Sequence, residues 1–348
     1  MNFIIAIFAI VYITMCGFGA LKLLLRDNIP FSLFGLIPLS FGIGLGMLAV
    51  LGNIIMLLGL RLSFITLYLP LFFAFSYALT QIKINKFLAL GDALKFIKGI
   101  SWKEWIFIFV IAFGVISIFF LSVDFPLHFW DSRAIWGAKA KMLFNSGTVY
   151  SSDFMDESRI HAHFRYPLLF PMSQAYIYFA MGKVDDWAVM ILIGLFFPFM
   201  VSFLFDVARV YLQDREKALA AAALVSILPV FFMSDGTAYS GYADTPLSML
   251  YCLAFGITLL WRKTKIFGYL MLSAFLSAIL LLTKNEGINL LMLNIILAFL
   301  PERISINKNA IFDFSKNLII YLILICVILF PWFILKSAIF DDKDVNDY

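Results

Sequence analysis

Charge is scarce in this sequence. Charged residues occupy 14% of the 348 positions, whereas 63% are hydrophobic and the mean hydropathy is +0.97. A soluble domain of this length has too small an interior to bury so much apolar surface. Runs of at least about 18 apolar residues, enough to cross about 30 Å of hydrocarbon, recur along the chain. The composition therefore predicts an all-α polytopic membrane protein in contact with membrane lipids, and the small net charge of +4 gives no indication of a nucleic-acid partner.

Cysteine is also scarce, and its positions exclude two classes of site. Cys16, Cys252 and Cys326 each lie inside an apolar stretch, which argues against a disulfide framework and against a cysteine metal site. The opening segment, 2–25, has neither a basic start nor a small-residue cleavage site. It is therefore predicted to be a retained first span rather than a signal peptide.

Apolar runs predict ten membrane spans. They lie at 2–25, 29–60, 62–80, 105–123, 187–211, 218–234, 243–261, 267–283, 288–300 and 316–335. Glycines at 42–46 are expected to break the second of these. The positive-inside rule places the lysine-rich segment 81–105 in the cytoplasm. If the shorter apolar segment 166–182 also crossed, the basic loops 213–217 and 261–265 could not both share that side. Segment 166–182 is therefore predicted to lie on, or dip into, the outer membrane face. The resulting topology places both termini of the chain outside.

One long loop, 124–186, is predicted on the outer face, and it contains all three histidines. Loops of this length carry function more often than simple connectors do. Asp131 precedes a predicted helix that ends at Gly147. It is interpreted either as the helix N-cap or as a carboxylate that orients or deprotonates a hydroxyl, or binds a metal. Trp130 and Trp136 suggest that the loop rests on the bilayer.

The later part of this loop, DESRIHAHFRYP at 156–167, is rich in polar donors. Oxygen and imidazole groups at this density could hold a divalent metal ion, and a solvated polar loop is the alternative. The candidate metal ligands are Asp131, Glu157, His161 and His163. Arg165, next to Tyr166, is a candidate phosphate clamp, because a guanidinium matches phosphate oxygens bidentately.

Two further outer turns bring charge to the same membrane face. Asp244 begins a predicted span, where helix capping is the alternative to a chemical role. Lys284 and Glu286 lie between two spans, where a lysine that faces a lipid phosphate is one interpretation and an ion pair or snorkelling is an equally good one. The span centres lack acidic residues, and the clearest intramembrane charges, Asp206 and Arg209, lie near a cytoplasmic end. This pattern favours a surface active site over a conduction path.

Three segments resemble the GT-C glycosyltransferases: WDSRAIWGAKAKML, HFRYPLLFPMSQAYIYF and YADTPLSMLYCLAFGITLLWRK. The similarity is closest to the bacterial branch related to protein O-mannosyltransferases and lipid A aminoarabinose transferases. It covers 105–335 and implies a seven-span GT-C module whose first outer loop, 124–186, is catalytic and contains juxtamembrane helices. The N-terminal spans and a basic cytoplasmic segment, 1–104, precede this module, and an outer tail, 336–348, follows it.

The resemblance implies an enzyme of the bacterial inner membrane that works on the outer face. It would transfer a sugar, with inversion, from a polyprenyl-phosphate donor to a hydroxyl of a glycan, lipid or protein. The site residues that it implies are Asp131 and Asp244 for catalysis and Arg165 and Lys284 for the donor phosphate, with Glu286, His163 and Tyr166 in support. Ser132 departs from the family, which often has a second acidic residue there, and Leu168 stands where it often has a second proline.

Two other classes of function remain open on the sequence. A transporter or flippase for lipid or polysaccharide would use the outer loop as a gate, and would predict essential charges on the cytoplasmic side. A non-catalytic membrane assembly protein would use the loop to dock a partner. The transporter also predicts indifference to Asp131→Asn, whereas unchanged cellular glycoconjugates in that variant would contradict the enzyme.

Overall fold

The described part of the chain is built from helices. A computed structural model describes residues 2–82, 99–154, 163–233, 236–300 and 308–339, and these ranges contain no strand. The α-helices are α1 (Asn2–Leu25), α2 (Leu33–Leu57), α3 (Phe64–Gln81), α4 (Trp102–Val123), α5 (Ala138–Ser146), α6 (Leu169–Met181), α7 (Asp186–Leu212), α8 (Arg215–Ser226), α9 (Val230–Met233), α10 (Asp244–Thr264), α11 (Phe267–Thr283), α12 (Gly287–Phe299) and α13 (Lys308–Ile339). A π-helical turn, Ser132–Gly137, leads into α5.

Membrane-spanning length is reached by eight helical segments within the described ranges. They are Phe3–Leu25, Leu33–Leu57, Phe64–Gln81, Trp102–Val123, Asp186–Leu212, Arg215–Met233, Asp244–Thr264 and Phe312–Ala338. Two shorter apolar helices, α11 and α12, coincide with the remaining predicted spans. The prediction of a polytopic all-α membrane protein is confirmed, and the count of ten spans stays a prediction. Segment 83–98, which holds most of the basic region of 81–105, lies outside the described residues, as does the tail from 340 onward.

The glycines at 42–46 do not break the second span, contrary to expectation. α2 runs through them without interruption. A Cβ built on Gly44 would overlap the carbonyl oxygen of Ile13, and one built on Gly17 would overlap that of Ser40. These glycines therefore allow the backbones of α1 and α2 to touch, which is how small residues act at helix contacts in membranes.

Polar side chains fix two helix ends at the end of the bundle opposite the long loop. The Ser101 hydroxyl accepts from the Glu104 N–H at 3.3 Å, and Glu104 accepts from the Ser101 N–H at 2.7 Å, so α4 begins three residues earlier than predicted. Arg215 binds the same glutamate at 2.5 Å and ties α8 to α4. Asp206, fully buried in α7, accepts from Arg209 at 2.8 Å and from the Ser32 N–H at 2.7 Å. The intramembrane charge pair therefore anchors the start of α2.

Helix α6 is enclosed by other helices. Its 13 residues extend about 20 Å, as do the 13 residues of α12, and this is less than the roughly 30 Å of hydrocarbon. The Tyr176 hydroxyl donates to the Ala9 carbonyl oxygen at 3.0 Å, and the Tyr68 hydroxyl donates to the Tyr176 carbonyl oxygen at 3.2 Å. These bonds insert α6 between α1 and α3, with α2 and α7 on its other sides. Helix α6 is therefore enclosed within the bundle, and its position relative to the outer membrane face stays a prediction.

Candidate functional site

Four parts of the chain meet at one end of the bundle, here called the loop end. They are the segment around Asp131 between α4 and α5, the turn 163–168 before α6, the start of α10, and the turn 284–286 between α11 and α12. Together they carry seven of the residues that the sequence singles out: Asp131, His163, Arg165, Tyr166, Asp244, Lys284 and Glu286.

Lys284 is the centre of this group, which we call the loop-end cluster. Its ammonium lies 2.9 Å from Asp244 Oδ1 and 3.6 Å from Glu286 Oε1, and its side chain is 18% exposed. The Tyr166 hydroxyl donates to Glu286 Oε1 at 3.5 Å. Burial disfavours the charged ammonium, but the hydrogen bond and negative charge of Asp244, with help from Glu286, raise the pKa of Lys284 above its ordinary value. The lysine is therefore held in its cationic form.

Asp131 is not the N-cap of the following helix, so that interpretation is wrong. Its backbone is already helical (φ −63°, ψ −34°), and its side chain makes no capping hydrogen bond. An N-cap residue needs an extended backbone to turn its side chain onto the next N–H groups. Asp131 therefore precedes the π-helical turn with a carboxylate that is not used for capping, and π-turns often occur at functional sites.

Burial is the main influence on the Asp131 carboxyl. Burial raises the pKa of Asp131, and the negative charge of Asp244 raises it further. The charges of His163 and Lys284 lower this pKa, but each by less than burial raises it. These couplings place Asp131 within electrostatic range of the other members of the loop-end cluster. A carboxylate with a raised pKa is a stronger base than an ordinary aspartate, which suits it to accept a proton.

The turn before α6 has an unusual backbone. His163 adopts φ +47°, in the left-handed region that few non-glycine residues occupy, and its carbonyl oxygen accepts from the Tyr166 N–H at 2.9 Å. Burial, followed by the charge of Glu286, raises the pKa of Tyr166, so its hydroxyl keeps its proton as a donor. Arg165 lies in the same turn and is partly buried. Backbone strain of this kind is common at functional sites.

The two departures from the GT-C pattern are both buried. Ser132 is 0% exposed, and its hydroxyl donates to the Phe129 carbonyl oxygen at 2.7 Å. Leu168 is 1% exposed and belongs to the hydrophobic core. A charged residue at position 132 would be desolvated in this packing, which gives a physical reason for serine there.

The two lysines after Asp131 have different surroundings. Lys139 is fully buried, with its ammonium 4.6 Å from the centre of the Trp136 ring. Lys141 forms an ion pair with Asp186 at 2.7 Å and ties α5 to the start of α7. Trp136 is 2% exposed and Trp130 is 65% exposed, so Trp130 is the one of the two that is open to lipid, and the resting of the loop on the bilayer stays a prediction.

Lys139 is the residue near the site that the sequence did not assign. One signal could have found it. Counting along the helix, it falls on the same face as Ile135, Trp136 and Leu143, which are all apolar and all buried. A lysine on an otherwise apolar helix face is a buried-charge candidate.

The metal prediction is only partly covered by the structure. Asp131 and His163 belong to the predicted ligand set and are described, whereas Glu157 and His161 lie outside the described residues. Among the residues that are described, no group of three His, Cys, Asp or Glu side chains could hold a metal ion. The metal site stays a prediction.

The fold defines the class of protein: a multi-pass, all-helical membrane protein with a polar and partly charged cluster at one end. No protein-family model, no curated protein and no solved structure matches the chain. The relationship to GT-C glycosyltransferases therefore stays a resemblance of short segments.

Proposed function

We propose that this chain is an integral membrane glycosyltransferase of GT-C type. It transfers a sugar from a polyprenyl-phosphate donor to an acceptor hydroxyl, with inversion, on the outer face of the bacterial inner membrane. The observation that carries the proposal is the loop-end cluster. Residues from four separate parts of the chain supply a base, a phosphate-binding cation and polar donors at one end of an apolar bundle.

The reaction needs few groups. The acceptor hydroxyl oxygen forms a bond to the anomeric carbon while the bond from that carbon to the phosphate oxygen breaks. The leaving phosphate takes the electron pair, and the hydroxyl proton passes to Asp131. A single displacement inverts the anomeric centre and uses no carboxylate nucleophile. The raised pKa of Asp131 improves it as the proton acceptor.

Lys284 and Arg165 receive the donor phosphate in this proposal. Lys284 is cationic and half-buried, so its charge is screened less by water than that of a surface lysine. Fixed cations that stabilise developing negative charge commonly lower the activation barrier by several kcal/mol. Asp244 and Glu286 hold the lysine in place before the donor arrives.

The raised pKa of Asp131 gives a prediction for pH. The carboxyl stays protonated to a higher pH than an ordinary aspartate, and the protonated form accepts no proton. We therefore expect the transfer rate to rise with pH through a pKa above the usual aspartate value. In His163→Gln this acid limb should shift to higher pH, because His163 lowers the pKa. Rate against pH for wild type and variant checks this, and coincident acid limbs would contradict the assignment of Asp131.

A transporter is the leading alternative, and the interior of the bundle gives it little support. The largest polar network there joins Thr258, Ser273, Ser277, Asn294 and Tyr321, all fully buried. None of these side chains carries a charge near neutral pH. Ion-coupled transporters usually place ionisable groups near the membrane midplane. The network instead resembles the interhelical hydrogen bonds that hold membrane helices together.

Native mass spectrometry of the detergent-purified protein tests the proposal. We expect a bound polyprenyl phosphate, with or without a sugar, on the wild type. The sugar-bearing donor should be enriched on Asp131→Asn, because that variant binds the donor without consuming it. The matched control is Asp124→Asn, an exposed carboxylate before the same loop, which should resemble the wild type.

Ordinary phospholipid alone, on both the wild type and Asp131→Asn, would contradict the transferase. Added undecaprenyl phosphate that fails to compete with phospholipid would contradict it further. Transport or assembly would then be the better account.

A further inference from the structure

Lys139 is a buried cation at the junction of two segments that form the loop-end cluster. Its side chain is 0% exposed. The ammonium donates to the His163 carbonyl oxygen at 3.2 Å, and lies 4.6 Å from the centre of the Trp136 ring and 5.4 Å from that of Tyr166. Lys139 therefore contacts both the segment that follows Asp131 and the turn that carries Tyr166.

A charge at this position has an energetic cost. Lysine is almost never fully buried unless it is paired, because its ammonium loses its hydration. Methionine would fill a similar volume without that loss. The carbonyl oxygen and the two aromatic rings are among the contacts that offset this cost, since attraction between a cation and a ring is strongest when both are desolvated.

The role follows from what the ammonium holds. The His163 carbonyl oxygen accepts from the Tyr166 N–H at 2.9 Å and from Lys139 at 3.2 Å. This turn contains the left-handed backbone of His163, with φ +47°. Such a conformation persists where its surroundings over-determine it. Lys139 supplies one of those constraints, and it also contacts the ring that the turn positions.

The contacts continue from Tyr166 to the predicted phosphate-binding cation. The Tyr166 hydroxyl donates to Glu286 at 3.5 Å, and Glu286 lies 3.6 Å from the Lys284 ammonium. We propose that Lys139 is a positioning residue: by fixing the turn and the ring of Tyr166, it sets the position of Glu286, which holds Lys284, the cation that receives the donor phosphate. The inference rests on the proposed function and adds to it a residue that touches neither sugar nor phosphate.

The first test is binding of undecaprenyl phosphate to the full chain, titrated by native mass spectrometry. Lys139→Met should weaken binding about 10-fold, the low end for loss of a hydrogen bond that involves a charged group. Lys139→Arg should restore part of the affinity, because a guanidinium also donates to carbonyls and stacks on aromatic rings. Lys141→Met is the matched control from the same helix, and should stay within about 2-fold of wild type. Equal affinity for Lys139→Met and wild type would overturn the proposal.

A double-mutant cycle separates positioning from general loss of structure. Tyr166→Phe keeps the ring and removes the hydroxyl that reaches Glu286. If Lys139 acts through Tyr166, the double variant binds about 10-fold more weakly than wild type, like either single variant, rather than about 100-fold. Fully additive losses would overturn the route through Tyr166. If Lys139→Met fails to accumulate, the same cycle is run with Lys139→Arg, and additivity there has the same meaning.

The outcomes also distinguish this proposal from the function on which it rests. A wild type that binds no undecaprenyl phosphate contradicts the transferase itself, and the role of Lys139 falls with it. A wild type that binds, beside a Lys139→Met variant that binds equally well, contradicts only the role of Lys139.

Discussion

Asp131→Asn is expected to slow sugar transfer at least about 100-fold while the protein accumulates normally in the membrane, because general-base groups contribute factors of about 10²–10⁴. The amide has the shape of the carboxylate but cannot accept the hydroxyl proton. The measurement is release of polyprenyl phosphate from the donor that native mass spectrometry identifies, with enzyme in detergent or in lipid vesicles.

Stability supplies an independent check on this variant. Burial raises the pKa of Asp131, so its ionised carboxylate is less favourable in the folded protein than in water. The neutral amide should therefore leave the thermal midpoint unchanged or slightly raised. Asp124→Asn should leave both rate and midpoint unchanged, because Asp124 is exposed. A rate within 2- or 3-fold of wild type for Asp131→Asn would remove the base from the mechanism.

Lys284→Met is expected to have the second-largest effect, a loss of donor affinity of about 30-fold or more. A hydrogen bond from a charged donor to the phosphate contributes about 1.5–3 kcal/mol, and about 2 kcal/mol corresponds to about 30-fold in affinity. The variant also leaves two carboxylates beside the incoming phosphate, which repel it. Titration with undecaprenyl phosphate at low and high salt measures the loss.

A compensating variant separates binding from folding. In Lys284→Met/Asp244→Asn, the carboxylate left without its cation is neutralised, so thermal stability should recover. Affinity for undecaprenyl phosphate should not recover, because the cation is still missing. Lys183→Met removes an exposed lysine from the same end of the bundle and should change neither quantity. Recovery of binding in the double variant would show that Lys284 serves the fold rather than the phosphate.

The predicted spans correspond closely to the observed helices, for a simple reason. Crossing a membrane demands a long apolar run, and such a run is local in sequence. The predicted helices are wrong where something other than hydrophobicity sets the structure. α8 ends at Ser226 and a short helix follows Pro229, since proline removes a hydrogen-bond donor and restricts the residue before it. The sequence allowed the glycines at 42–46 to be either a helix break or a contact surface, and their packing against α1 shows that they form a contact surface.

The sequence could predict the residues of the candidate site because the number of spans between two loops determines whether they lie on the same membrane face. Counting spans and applying the positive-inside rule places Asp131, Asp244 and Lys284 on one face, without any knowledge of packing. The same argument could not pair Lys284 with Asp244 rather than with another carboxylate. Partner choice depends on which helices are neighbours, and no local pattern encodes that.

The sequence by itself determined that this is a polytopic helical membrane protein, because a chain that crosses hydrocarbon must satisfy its backbone hydrogen bonds within each helix. The tertiary structure determined which residues of the loop-end segments contact one another and which of them are buried. It enclosed α6 among other helices, buried Trp136, and placed Lys139 between two rings and a carbonyl oxygen. These features arise from contacts between segments distant in the chain, where burial and charge are set by neighbours rather than by the residue itself.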